Sequence, residues 1–164
     1  MINLANKHPR VNILSPGAGV GGHCIAIDPW FIVSQFPKKS KMIETSRRTN
    51  KQKPIWALNK ILEMINPTDT VACMGLSYKQ DIDDIRESPS IEIANNLIRI
   101  LGKDRVVVCE PHLNSLDGFE LATIEQAVQN ADFLVFCVPH AKFRRITPDS
   151  IENKKTLDLC GVLK

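Results

Sequence analysis

The strongest constraint on the fold of this chain is an alternation of apolar runs and helical segments that begins at residue 70. The candidate strands are TVACMGL (70–76), RVVVCE (105–110), FLVFCV (133–138) and KTLDLC (155–160), and the first three are built on continuous apolar residues. Strands that are apolar on both faces are typical of a parallel sheet covered by helices on both sides. The pattern therefore predicts a compact α/β domain over residues 67–164.

The segments between these runs carry helix signals. SPSIEIANNLIRIL (88–101) has Ser88 as a candidate N-cap, Pro89 at the first helical position and Gly102 just past the end. TIEQAVQNA (123–131) predicts a short helix, because Thr123 and Gln126 have the spacing of a capping box. HAKFRRI (140–146) predicts a helical turn.

Residues 1–66 have a different pattern and are expected to belong to a separate unit. They contain an extended piece VNIL (11–14), a glycine-rich loop, and a helix beginning with Asp28 as N-cap and Pro29 behind it. One long helix follows over about residues 40–65, with a possible kink at Pro54. Its predicted apolar face comprises Ile55, Leu58, Ile61, Leu62 and Ile65.

Composition excludes several functions. Net charge is +3 and aromatic residues are 5%, so no basic and aromatic platform for nucleic acid is present. The sequence has no run of about 18 apolar residues that would cross a membrane, and the N-terminus lacks the apolar stretch of a signal peptide. Four of the five cysteines lie in or at the end of apolar runs, which indicates buried free thiols and a reducing compartment, the cytoplasm. They are Cys73, Cys109, Cys137 and Cys160.

The glycine-rich loop SPGAGVGGHCIAIDPWF (15–31) contains the string G-x-G-x-x-G at Gly17, Gly19 and Gly22. A dinucleotide-binding fingerprint requires a strand directly before the string and a helix that opens within it. Pro16 stands where that strand should end, and the next helix signal comes only at Asp28. The string alone therefore does not predict a dinucleotide site.

Cys24 lies at the end of this loop, four residues before the predicted helix start. A helix N-terminus favours a thiolate, and His23 or Asp28 can move protons, so the arrangement suits a nucleophilic cysteine. A cysteine packed in a tight turn against the following IAI explains the same residues equally well. A zinc site is disfavoured, since His23 adjoins Cys24 and neither His112 nor His140 has ligand-like spacing to them.

A second cluster of charged residues, GLSYKQDIDDIRESPS (75–90), joins the first predicted strand to its helix. Open α/β sheets bind ligands at the carboxyl ends of their strands, where this loop lies. Lys79, Arg86 and the helix N-terminus at Ser88–Pro89 would together suit a phosphate-bearing ligand. The alternative is a solvated loop whose acidic residues favour the helix dipole.

GVGGHCIAIDPWF, GLSYKQDIDDIRESPS and the closing LDLCGVLK together resemble the UDP-glucose/GDP-mannose dehydrogenase family. KHPRVNI, the histidine before Cys24 and DPWF after it are similar to the branch that oxidises UDP-N-acetyl-D-mannosamine at its 6-hydroxyl. The resemblance spans nearly the whole chain in order. It implies a long central helix followed by a Rossmann-like, parallel-sheet UDP-binding domain, within an NAD-dependent enzyme that makes a sugar carboxylate for surface polysaccharides.

The resemblance also implies roles for individual residues. Cys24 would capture the aldehyde as a thiohemiacetal, which is oxidised to a thioester and hydrolysed, with two NAD molecules used in sequence. Asp28 would help proton transfer or place the water, and Arg86 would reach the cofactor. The implied substrate contacts are His8, Arg10, Gly21, His23, Tyr78, Lys79 and Lys164. His8 and Arg10 would act in the partner subunit of a homodimer, and Lys164 stands where the family often has arginine.

The resemblance is to the C-terminal part of the family. The 1–66 segment would be the end of the central region with the dimerisation helix, and 67–164 the domain that binds the UDP-N-acetylhexosamine. The family's N-terminal NAD domain, with its upstream catalytic lysine and asparagine, has no counterpart in this sequence, so the chain alone is expected to be inactive. The alternatives are a UDP-sugar-binding and dimerising fragment without turnover, or a folded remnant without a ligand.

Overall fold

The computed structural model describes residues 1–163. The helices are α1 (Ile2–Ala5), α2 (Asp28–Gln35), α3 (Lys41–Met64), α4 (Pro89–Leu101), α5 (Ile124–Asn130) and α6 (Pro148–Ile151). The strands are β1 (Val71–Met74), β2 (Val106–Cys109), β3 (Phe133–Phe136) and β4 (Lys155–Asp158). Short 3-10 helices span Lys103–Arg105 and Ala141–Arg145.

The four strands form one parallel sheet in the order β2-β1-β3-β4. One face packs on α3 and α4, where Val71 and Cys73 meet Ile61 and Leu97. The other face packs on α5, where Met74 lies in a second core with Ala127. Burial on both faces explains why β1, β2 and β3 read as continuous apolar runs, whereas β4, KTLD at the edge of the sheet, is only partly buried. The predicted α/β class, the four strands and the long helix are confirmed.

The helices of the sheet domain begin where their caps predict. Ser88 Oγ accepts the N–H of Ser90 at 3.2 Å, and Gly102 ends α4 with φ of +90°. At α5, the N–H of Gln126 donates to Thr123 Oγ1 at 3.2 Å and the N–H of Thr123 donates to Gln126 Oε1 at 2.9 Å. Both hydrogen bonds of the predicted capping box at the start of α5 therefore form between residues three positions apart.

Two predictions for residues 1–66 are wrong in detail. Asp28 is the first residue of α2 rather than its N-cap, because a turn closed on the Cys24 carbonyl brings the chain into helical conformation one residue earlier. Ile55 is 51% exposed, whereas Ala57, Leu58 and Ile61 form the buried face of α3. Helix α3 continues through Pro54 as a single helix of 24 residues.

Helix α3 connects the two predicted units. Its second half packs on α4 and shares the core beneath β1. Its first half lies against α2. Several large apolar side chains of α2, of its C-cap residue and of α3 remain exposed, namely Phe31, Ile32, Phe36, Met42, Ile55 and Trp56. No helix among residues 1–163 is long and apolar enough to cross a membrane.

The predicted core cysteines lie where expected, with one exception. Cys73, Cys109 and Cys137 are buried, and Cys160, at the end of the fourth run, is only half-buried. Burial raises the pKa of the Cys73, Cys109 and Cys160 thiols to about 12. These thiols therefore stay protonated at neutral pH and behave as small apolar side chains.

Candidate functional site

The glycine-rich loop packs directly against the chain that enters α4. The N–H of Gly22 donates to the Arg86 carbonyl at 3.0 Å, and a Cβ at Gly21 would overlap the Glu87 carbonyl oxygen. Gly22 has φ of +91°, and the Tyr78 ring fills the place that a Cβ would take. The glycines therefore permit a close backbone approach. Within the described residues before β1 there is no strand, so the string does not form a dinucleotide fingerprint.

Helix α3 holds the same loop from the other side. The Asn50 side chain accepts the Val20 N–H at 2.8 Å and donates to the Val20 carbonyl at 3.0 Å. The Asn50 side-chain amide therefore satisfies both the N–H and the carbonyl of Val20, and the two hydrogen bonds together fix the position and orientation of the backbone there. Sequence reasoning missed Asn50, because nothing in its helical neighbourhood indicates a contact thirty residues away.

Cys24 follows these fixed glycines and is exposed. Its carbonyl accepts the N–H groups of Ile27 and Asp28 at 3.0 and 2.8 Å, which places the cysteine one turn before α2. Exposure contradicts the alternative in which Cys24 is packed in a turn on IAI. The remaining interpretation is an accessible thiol near a helix N-terminus.

The loop over residues 75–88 begins at the carboxyl end of β1. The chain passes from β2 across β1 to β3, so the strand order reverses between β1 and β3. Such a switch point is where open α/β sheets bind ligands. The carboxylate of Glu110, which follows β2, fixes the start of the loop: its Oε2 accepts the N–H groups of Leu76 and Ser77 at 2.7 and 3.0 Å.

Tyr78 and Lys79 lie in this loop beside the glycine-rich loop. The half-buried Tyr78 ring contacts Gly22, two residues before Cys24, and Lys79 is exposed. The hydroxyl of Ser77 donates to the Lys79 carbonyl at 2.6 Å, which tightens the backbone around both side chains. The two loops therefore bring the Tyr78 phenol close to the segment that carries the Cys24 thiol, and Lys79 follows Tyr78 in the chain.

Arg86 adds a second cation. Its guanidinium donates to both oxygens of Asp84, and these hydrogen bonds lower the pKa of that carboxyl to about 2. Asp84 also raises the pKa of Arg86, with smaller contributions from nearby Tyr78 and Cys24. Because the Arg86 side chain is 61% exposed, it can still meet a ligand. An anionic ligand that reaches Cys24 would therefore find the Arg86 guanidinium nearby.

Two sequence models of known protein domains match this chain. The UDP-binding domain of the UDP-glucose/GDP-mannose dehydrogenase family matches residues 72–164, more than half of the chain. The chain belongs to this family. The central domain of the same family matches residues 1–52, so both loops of the site lie in segments that the UDP-glucose/GDP-mannose dehydrogenases share.

Individual members of the UDP-glucose/GDP-mannose dehydrogenase family align with almost all of the chain. The NDP-N-acetyl-D-galactosaminuronic acid dehydrogenase of Ralstonia solanacearum is 44% identical, over 99% of this chain and 40% of its own length. The UDP-N-acetyl-D-mannosamine dehydrogenase of Escherichia coli K12 is 42% identical, over 99% and 42%. A solved UDP-D-ManNAc dehydrogenase from Pyrococcus horikoshii superposes with a TM-score of 0.83 at 29% identity, over 99% and 40%. The chain spans about 40% of the length of these relatives.

The structure does not bring every predicted site residue together. His8 and Arg10 lie in the segment 1–14. In the described structure, the hydrogen bonds of this segment connect its residues only to one another. His23 and Asp28 are both exposed. His23 precedes Cys24 in the chain, and Asp28 lies in the first turn of α2. Lys164 lies outside the described residues. The roles implied for these residues stay predictions.

The N-terminus of α4 is not the anion site that its sequence suggests. Ser88, Pro89 and Ser90 are all buried, and the glycine-rich loop packs on Pro89 through Gly19 and Gly21. The Ser88 hydroxyl donates to the Leu76 carbonyl and accepts the Ser90 N–H. That prediction is therefore wrong: protein groups already occupy the space and the donor that a phosphate would use.

A cluster of two histidines and an aspartate was missed because its members are distant in sequence. Asp81, His112 and His140 place ligand atoms within 4.8 Å of one another, and the rings of His112 and His140 lie 4.7 Å apart. His140 Nδ1 accepts the Asp81 N–H at 2.9 Å, and Nε2 lies 3.1 Å from Glu110 Oε2. Since both ring nitrogens are engaged, His140 has no lone pair for a metal, and we assign none.

Proposed function

We propose that this chain is the substrate-binding and nucleophile-bearing part of an NAD-dependent UDP-N-acetyl-D-mannosamine 6-dehydrogenase. The observation that carries the proposal is the exposed Cys24 thiol, held beside Tyr78 and Arg86 at the carboxyl end of a parallel sheet. The names of the relatives from E. coli and P. horikoshii support the sugar. The carboxylated product would serve surface polysaccharide synthesis, and the free buried thiols suit the cytoplasm.

Cys24 acts as the nucleophile in this proposal. NAD, when bound, accepts the hydride in each of the two oxidations. The Cys24 thiolate adds to the aldehyde carbon and forms a thiohemiacetal, which retains the aldehyde on the protein. Oxidation of that adduct leaves a thioester on Cys24. Water then attacks the thioester carbonyl, releases the carboxylate and returns the thiol, with Asp28 placing the water or taking its proton.

The residues of this chain fit a partial contact with NAD. Arg86 presents an exposed guanidinium near Cys24, and a cation of this kind suits the diphosphate of the cofactor. The glycine string at residues 17–22 is occupied by packing against Glu87, Pro89 and Tyr78, so it does not supply the diphosphate cradle. The greater part of the NAD contact is therefore assigned to the remainder of the complete enzyme.

The first test is calorimetric titration of the isolated chain. UDP-N-acetylmannosamine is expected to bind, while NAD does not, and Lys79→Ala is expected to weaken UDP-sugar binding about tenfold by removing a charge-assisted contact. Lys103→Ala is the matched control. Lys103 is also an exposed lysine, but it precedes β2 and so lies at the amino ends of the strands, opposite the proposed site.

This titration is combined with an absorbance assay of NADH production in the presence of UDP-N-acetylmannosamine and NAD. Together the two measurements separate the proposals. Binding without NADH production would support a substrate half-site that turns over only in the complete enzyme. NADH production by the chain alone would contradict the assignment of NAD binding to the remainder. If UDP-N-acetylmannosamine fails to bind, or if Lys103→Ala weakens binding as much as Lys79→Ala, the proposed site is wrong.

We also propose that the chain forms a homodimer through α2 and α3. The exposed apolar side chains of these helices, among them Phe31, Phe36 and Met42, form a surface that suits burial against a second copy. Met42→Glu is expected to raise the dimer dissociation constant at least tenfold in sedimentation equilibrium. The control is Ile100→Glu, a change to an exposed apolar residue on α4. A wild-type chain that stays monomeric at the highest concentration reached in sedimentation equilibrium would contradict the proposal.

A further inference from the structure

His140 is a fully buried histidine with both ring nitrogens in hydrogen bonds. Nδ1 faces the Asp81 N–H at 2.9 Å, and a backbone N–H can only donate. The proton of the neutral ring is therefore assigned to Nε2, which donates to Glu110 Oε2 at 3.1 Å. His140 thus links a backbone donor on one side to a carboxylate on the other.

Glu110 is buried as completely as His140. Its Oε2 also accepts the N–H groups of Leu76 and Ser77, and its Oε1 accepts the N–H of His112 at 3.0 Å. Burial raises the pKa of Glu110, but the hydrogen bonds from His140 and from backbone N–H groups such as that of Leu76 together lower the pKa by more. The pKa of Glu110 therefore lies below its ordinary value. The group is therefore a carboxylate whose acceptor sites are filled by protein donors.

The groups that Glu110 and His140 hold are the two ends of one short loop. Glu110 fixes the backbone at Leu76 and Ser77, and His140 fixes it at Asp81, which adopts φ of +57°. The Asp81 carboxylate returns a hydrogen bond by accepting the Ala141 N–H at 2.9 Å. Between these ends lie Tyr78 and Lys79.

We propose that the His140–Glu110 pair is an anchor that positions Tyr78 and Lys79 for the UDP-sugar. This inference rests on the proposed function for the identity of the ligand. His140 does not touch the ligand site, since the ring is fully buried with neither nitrogen available. It is a positioning residue at the switch point between β1 and β3, where the ring packs edge-on against Phe143 at 5.3 Å.

The test replaces His140 and follows both ligand and loop. His140→Phe keeps an aromatic ring in the core but removes both hydrogen bonds, so UDP-N-acetylmannosamine is expected to bind at least tenfold more weakly. Amide hydrogen exchange at Leu76, Ser77 and Asp81 is expected to quicken by at least tenfold. His140→Gln retains a donor for Glu110 and is expected to recover protection at Leu76 and Ser77, though not at Asp81.

Phe143→Leu is the control for destabilisation alone, because Phe143 packs on His140 without bonding the loop. If Phe143→Leu weakens ligand binding as much as His140→Phe at equal loss of unfolding stability, the anchor is refuted. If His140→Phe does not fold, His140→Gln carries the same comparison at Asp81. If the wild-type chain does not bind the sugar, the proposed function fails, and exchange at the three amides still decides the anchor: unchanged protection overturns it.

Discussion

In native buffer at pH 8, iodoacetamide is expected to alkylate one cysteine of this chain, Cys24, at least a hundredfold faster than any of the other four. Cys24 is exposed, whereas the other thiols are buried or half-buried. Burial raises the pKa of Cys73, Cys109 and Cys160 to about 12. At pH 8 roughly one in ten thousand molecules of such a thiol is ionised, and the thiolate is the reactive form.

Mass spectrometry of the alkylated peptides measures this result. The Cys24→Ser variant is expected to lose the fast reaction, while denaturation in urea exposes all five thiols in the wild type. Saturating UDP-N-acetylmannosamine is expected to slow alkylation of Cys24, because the sugar is proposed to lie over the thiol. Fast alkylation of Cys137 or Cys73 in the native state would contradict the burial on which the fold depends.

Gly21→Ala is expected to detach the glycine-rich loop from α4 and to lower the free energy of unfolding by about 1–3 kcal/mol. The added methyl group would overlap the carbonyl oxygen of Glu87 and press on the Pro89 ring at 3.0 Å. Neither neighbour is a flexible side chain that can turn aside, so the loop itself must move. The Gly22 N–H bond to the Arg86 carbonyl is then lost.

Gly17→Ala is the matched control in the same loop, because a Cβ at Gly17 meets nothing within 4 Å. It is expected to change the unfolding free energy by less than about 0.5 kcal/mol. Urea unfolding gives the two energies, and amide exchange at Gly22 reports detachment of the loop. Equal behaviour of the two variants would show that the close approach at Gly21 does not hold the loop.

The parts of the fold that the sequence predicts are those fixed by neighbouring residues. Strands β1, β2 and β3 follow from continuous apolar runs, and the caps of α4 and α5 follow from residues within three positions of each other. The prediction fails at Ile55 because the buried face of α3 passes through Pro54, Ala57, Leu58 and Ile61, which leaves Ile55 51% exposed. The start of α2 fails by one residue because the turn on Cys24 competes with a side-chain cap.

The site is less predictable because it is made by contacts across long separations. Exposure of Cys24 contradicts the interpretation of a cysteine packed in a turn, and no local pattern around the residue predicts that exposure. Asn50 meets Val20 across thirty residues, and His140 meets Glu110 across another thirty. The N-terminus of α4 looks open in sequence, and it is closed only because Gly21 packs over it.

The segment around Cys24 is fastened to the protein through main-chain atoms. Gly22 is joined to the Arg86 carbonyl, and Val20 to the amide of Asn50, while the side chains of His23 and Ile25 remain exposed. Exchanging an exposed side chain therefore leaves the Cys24 backbone in the same place. In the proposed enzyme, such a loop can acquire new sugar preferences during evolution by altering the residues next to the cysteine, without rebuilding the chemistry each time.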